Sequence, residues 1–114
     1  MSDAILFIAW DRPHLGQDEK AMGYLMSEGL AYLEKLKGSY FERFEMIGLT
    51  AHGSDLNFAL ILHGTRAKLD ELRRTDEFEA FSFKLSSLFA RLRVVPGLSS
   101  EGLRKVMARM TPAR

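Results

Sequence analysis

The chain has 114 residues, 46% of them apolar and 27% charged, and its 16 basic against 15 acidic side chains leave a formal charge of +1. Those values fit one globular domain spanning 1–114, able to bury about two-thirds of its unfolded surface, and exclude a disordered or fibrous chain. The charges are interspersed, so no clustered basic face points to nucleic acid or an anionic membrane, and without cysteine there is no disulfide, thiolate ligand or thiol nucleophile.

Ala4 to Trp10, AILFIAW, is apolar at every position and rich in β-formers, which predicts a central strand covered on both faces. No basic segment precedes it and no small-residue cleavage site follows, so it does not read as a signal peptide. No apolar run approaches the ~18 to 20 residues of a membrane span, and a cytoplasmic location is expected. Gln17 to Lys37 places Met22, Leu25, Met26, Leu30, Leu33 and Leu36 at intervals of three and four, the stripe of an amphipathic helix. Asp18 and Glu19 suit its N-terminal end, Lys35 and Lys37 its C-terminal end, and Gly38 supplies a left-handed stop.

Phe41 to His52 predicts a long second strand, with Phe44, Met46, Gly48, Thr50 and His52 on one face and Glu45, Ile47, Leu49 and Ala51 on the other. Both parities carry apolar residues, so which set looks inward stays open. After the turn Gly53-Ser54-Asp55, Leu56 to His63 reads as the inner arm of a hairpin closed by Gly64. Arg66 to Arg74 is a helical piece with Leu69 and Leu72 inward. A bend near Thr75 leads to a second piece capped by Asp76, with Phe78, Phe81, Leu85, Leu88 and Phe89 as its buried stripe. Arg91 to Val95 predicts a fourth strand stopped by Pro96-Gly97. Ser99 or Ser100 then caps a last helix with Leu103, Val106, Met107 and Met110 aligned.

The order strand, helix, strand, strand, helix, strand is an α+β pattern. Right-handed crossovers place both helices on one face of an antiparallel sheet ordered 4-1-3-2, the ferredoxin-like arrangement. Strands one and three are apolar on both faces, so the helices leave an apolar surface larger than a soluble protomer tolerates. The expected cover is a second copy, giving a homodimer through the sheet face. On the stretches ALILHGTRAKLDELRRTDEFEAF and RLRVVPGL, the chain resembles the dimeric α+β barrel superfamily. That resemblance implies two sheets enclosing a pocket for a small hydrophobic or aromatic ligand. It names no chemistry, because monooxygenases, isomerases and ligand sensors share the fold. Some relatives carry a histidine in the broken helix, where this chain reads Thr75-Asp76-Glu77-Phe78.

The residues with chemistry to offer are few. Trp10, Arg12, His14 and His52 sit at ends of strands one and two that share a rim, so they can bound a pocket mouth with an imidazole available near neutral pH. Both histidines also fit exposed loops. Arg93, in mid-strand, can meet an anionic ligand, pair with a carboxylate such as Glu45, or bridge to a partner. His63 ends the oppositely directed strand and belongs at the far rim. No H-x-x-x-H, H-x-E or Gly-rich phosphate motif occurs, so no metal or cofactor is called for. Two readings stand: a small enzyme or binder of an apolar metabolite, held between sheet and helices or within the dimer, and a non-enzymatic dimerisation or ligand-sensing module.

Overall fold

The computed structural model describes residues 2–49 and 55–110. Four strands, β1 (Ala4–Trp10), β2 (Arg43–Gly48), β3 (Phe58–Gly64) and β4 (Arg93–Leu98), form one sheet in the order β2-β3-β1-β4, with all three pairings antiparallel. This is the expected ferredoxin-like order, with the two most apolar strands in the middle and β2 and β4 at the edges. Along β1 the even-numbered residues Ala4, Leu6, Ile8 and Trp10 are buried with Leu60 and Leu62 of β3 in the core that the helices share. Ile5, Phe7 and Ile61 share the other face.

The first helix runs as α1 (Asp18–Tyr24), a π turn (Leu25–Gly29) and α2 (Leu30–Leu36), with helical backbone across both junctions. Its buried residues are Ala21, Leu25, Gly29, Leu33 and Leu36. Met22 and Met26, expected inside, are exposed. Three successive steps of four residues over-rotate a 3.6-residue helix by roughly 120° in all; the π turn, which takes about one extra residue, returns the stripe to the core. Gly38 ends the helix with φ of 92°, the conformation that only glycine adopts without strain.

Four other sequence expectations need correction. β2 begins at Arg43, because Phe41 is drawn into the turn in which its carbonyl accepts from the Gly38 amide at 2.7 Å. Leu49 lies beyond the strand, and the remainder of the expected span falls outside the described residues. Thr75, not Asp76, caps α4 (Asp76–Leu88): its hydroxyl accepts from the Phe78 amide at 3.1 Å, while Thr65 caps α3 (Arg66–Arg73) in the same way. Asp76 is the first residue of the helix, where a carboxylate suits the dipole. β4 continues through Pro96 and Gly97, because an edge strand with a single partner can spare an N–H.

Ser99 is the cap of α5 (Ser100–Met110), its hydroxyl accepting from the Gly102 amide at 3.2 Å and donating to the Ser2 carbonyl at 2.8 Å. Only part of the expected α5 stripe turns inward. Val106 is half-buried, while Leu103 and Met107 remain 50% and 57% exposed.

The described structure measures 59 × 35 × 18 Å with a radius of gyration of 15.7 Å. A compact domain of this length has a radius near 13 Å. Two layers account for the smallest dimension, one of strands and one of helices, so among the described residues the second face of the sheet has no covering layer.

Candidate functional site

That uncovered face is the candidate site. The register sets Phe7 beside Ile61 on one side and Val95 on the other, with Ile5 between His63 and Gly97, and Ala59 between Ala9 and Ile47. The result is an apolar centre of Ile5, Phe7, Ile47, Ile61 and Val95. All five keep solvent contact, Val95 at 48%.

Polar groups bound this centre at two places. On β2 and β3, the His63 ring nitrogen Nε2 lies 2.7 Å from Glu45 Oε1, which also accepts from Arg43 Nη1 at 3.2 Å. An ionised carboxylate only accepts, so Nε2 carries a proton, and in the neutral ring the lone pair belongs to Nδ1. The His63 side chain is 12% exposed. Its hydrogen bond, and secondly that from Arg43, hold the Glu45 carboxyl below its ordinary pKa. On the opposite edge, Arg93 Nη2 donates to Asp55 Oδ2 at 2.8 Å, and Arg91 Nη1 reaches the same oxygen at 3.3 Å and Asp11 at 3.5 Å. Arg93 first and Arg91 after it keep the Asp55 carboxyl below its usual range. Arg91 has a left-handed φ of 55°, which costs about 1 to 2 kcal/mol, and its side chain spans the two carboxylates.

Of the residues expected at one pocket mouth, Trp10 is parted from Arg12 and His14. Trp10 is fully buried on the helix side, 6.1 Å from Phe58 and 5.1 Å from Phe89 between ring centroids. Its indole nitrogen has no acceptor among the described residues. The loop after β1 is stapled to the end of α4: the His14 amide donates to the Leu88 carbonyl at 2.8 Å, its Nε2 lies 2.9 Å from the Ser86 carbonyl, and Arg12 accepts from the Ala90 amide at 2.9 Å. Both side chains are exposed there. His52 lies outside the described residues. Of the four that are described, Arg93 alone stands on the open face, and its carboxylate is Asp55 rather than Glu45.

The space between sheet and helices, one of the two expected ligand compartments, is filled by Trp10, Leu6, Ile8, Leu25, Leu33, Leu60, Leu62, Leu72, Leu85 and Phe89, all almost wholly buried. The His63 and Glu45 pair, by contrast, does not stand out in the sequence, where His63 reads as a strand-end rim residue. Its signal was strand parity: residues two apart share a face, so a core-facing Leu60 and Leu62 put Ile61 and His63 together on the other side. Among the described residues no three His, Asp or Glu side chains gather closely enough to hold a metal ion, and no helix is long and apolar enough to cross a membrane.

No protein-family model matches the chain, and no curated protein is similar to it in sequence. Solved structures share its fold. HapK from Hahella chejuensis superposes with a TM-score of 0.62 at 14% identity, covering 82% of this chain and 90% of that one. A dimeric protein of unknown function with a ferredoxin-like fold, from Bacteroides fragilis NCTC 9343, gives a TM-score of 0.59 at 15% identity, covering 84% of this chain and 96% of the other. The chain therefore has the ferredoxin-like fold on which the dimeric α+β barrel superfamily is built, and at these identities the likeness extends to the fold alone.

Proposed function

We propose that the protein is a homodimer whose two open sheet faces meet and bind a small hydrophobic, aromatic metabolite between them. The observation that carries this reading is the solvent contact of Ile5, Phe7, Ile47, Ile61 and Val95 on one continuous sheet face. A standard interface removes ~800 Å² per partner, and at ~25 cal/mol per Å² of apolar area the gross gain exceeds an association cost of roughly 4 to 15 kcal/mol. The dimeric Bacteroides fragilis neighbour supports the same mode of cover.

The metabolite would lie against Phe7, Ile61 and Val95. His63, oriented by Glu45, and Arg93 would supply polar groups at opposite margins. With Nε2 committed to the carboxylate, His63 Nδ1 is the atom able to accept a proton or a hydrogen bond from the ligand. Trp10 would act from behind the sheet by stiffening β1, and the exposed Arg12 and His14 remain candidates for the entrance together with His52. If the two faces fill one another completely, the protein is a dimerisation module without chemistry, the reading that the packing of side chains such as Phe7 against their copies would favour.

The test is sedimentation velocity at micromolar concentration on the wild type and on Ile61→Lys, combined with native mass spectrometry. A dimer is expected for the wild type, with a bound small molecule of low polarity, and a protomer for Ile61→Lys. A wild-type protein that sediments as a folded protomer would overturn the proposal. A dimer that retains no small molecule, and whose melting temperature no aromatic acid or quinol raises, would leave the dimerisation module in its place.

A further inference from the structure

At the end of the sheet remote from Trp10 lies a cleft of about 330 Å³ between α3, α5 and the ends of β1 and β4. A smaller hollow of about 110 Å³ adjoins it and shares Ala4, Arg66, Leu98, Val106 and Arg109. The larger volume falls at the lower end of the ~300 to 1,000 Å³ of small-molecule sites. Docking of α5 creates it, because the Ser99 hydroxyl is tied to the Ser2 carbonyl and Gly102 packs on the Asp3 backbone.

The lining has two chemistries. Leu69, Leu98 and Val106 offer apolar surface, and Arg66 from α3 and Arg109 from α5 bring one guanidinium from each wall. Arg66 is held only loosely, 3.9 Å from Asp70 with its side chain 78% exposed. Among the described residues Arg109 has no carboxylate within salt-bridge distance. Asp70, the one acidic residue in the lining, reduces the net charge of the cleft to a single positive one, which suits a monoanion better than a phosphate dianion. A guanidinium pairs with a carboxylate through two parallel hydrogen bonds.

We infer that this cleft is a binding site for a small monocarboxylate with an apolar tail, the carboxylate held by Arg109 and Arg66 and the tail laid along Leu69, Leu98 and Val106. The site meets the open sheet face at Ile5, which lines both, but Arg66, Leu69, Val106 and Arg109 lie on α3 and α5, so its test does not depend on the dimer.

The experiment is a titration of the full chain with octanoate, followed by amide chemical shifts. Saturable shifts are expected at Leu69, Leu98 and Val106, with Phe7 and Ile61 unmoved. Arg109→Gln and Arg66→Gln should each weaken binding about tenfold, the usual scale for one charge-assisted contact, and octanol, with the same tail and no charge, should bind at least as weakly as octanoate does to the variants. Both arginines are exposed, so well-dispersed spectra will show that the variants fold. Absence of shifts up to about 10 mM octanoate, a range that detects even millimolar affinity, would overturn the inference. So would equal affinity for octanol, wild-type affinity in both variants, or shifts centred on Phe7 and Ile61.

Discussion

The imidazole of His63 and the carboxylate of Glu45 show how a single residue gains its role from neighbours that are distant in sequence. Each is an ordinary strand residue until the β2–β3 register brings them within 2.7 Å. The link can be read through pH. Because hydrogen bonds from His63 and Arg43 lower the Glu45 pKa in the folded protein, the stability it contributes is present above the ordinary carboxylate value of 4.5 and is lost as pH falls through the depressed folded value. Glu45→Gln should therefore melt below wild type at pH 7. The gap between the two should close as acid protonates the carboxylate, which thermal melts from pH 7 down to pH 3 will measure. Trp10 makes the opposite point. It is the largest aromatic in the chain and the obvious platform for a flat ligand, yet it is wholly buried in the protein's own core.

At the scale of elements, each departure from the sequence pattern has a local cause. Ala21, Leu25, Gly29 and Leu33 recur every four residues, and a π turn is how a helix keeps them on one side. Pro96 sits inside β4 because that strand has a partner on one side only. The placement of α5 depends on Gly102: a Cβ there would lie 1.9 Å from the Asp3 carbonyl oxygen, with the rigid backbone of β1's leading segment behind it. Gly102→Ala should lower stability by about 1 to 3 kcal/mol, as overpacking generally does, in urea unfolding. It should also raise amide exchange along α5 while leaving β1 and β3 protected. An α5 as protected as in wild type would show that the contact does not hold the helix.

For the whole molecule, the controlling fact is that one layer of helices covers one face of a sheet that carries apolar residues on both. In the proposed dimer folding and association are linked, because a partner that binds only the folded chain stabilises it by mass action. The melting temperature should accordingly rise with protein concentration across the micromolar range. In Ile61→Lys, with a charge set in the centre of the face, that dependence should vanish. A melting temperature indifferent to concentration in the wild type would mean that the open face is stable in water as it stands.

The order of strands and helices, the core status of β1 and β3, the break at Thr75 and the halt at Gly38 could all be read from the residues. Each depends on local rules of period, capping and backbone sterics that act within a few positions along the chain. Which face of β2 looks inward, how far Pro96 could be carried in a strand, and that His63 pairs with Glu45 while Trp10 is sealed away depended on register and on the turning of the first helix. Those are set by contacts between segments tens of residues apart, and only the folded arrangement decides them.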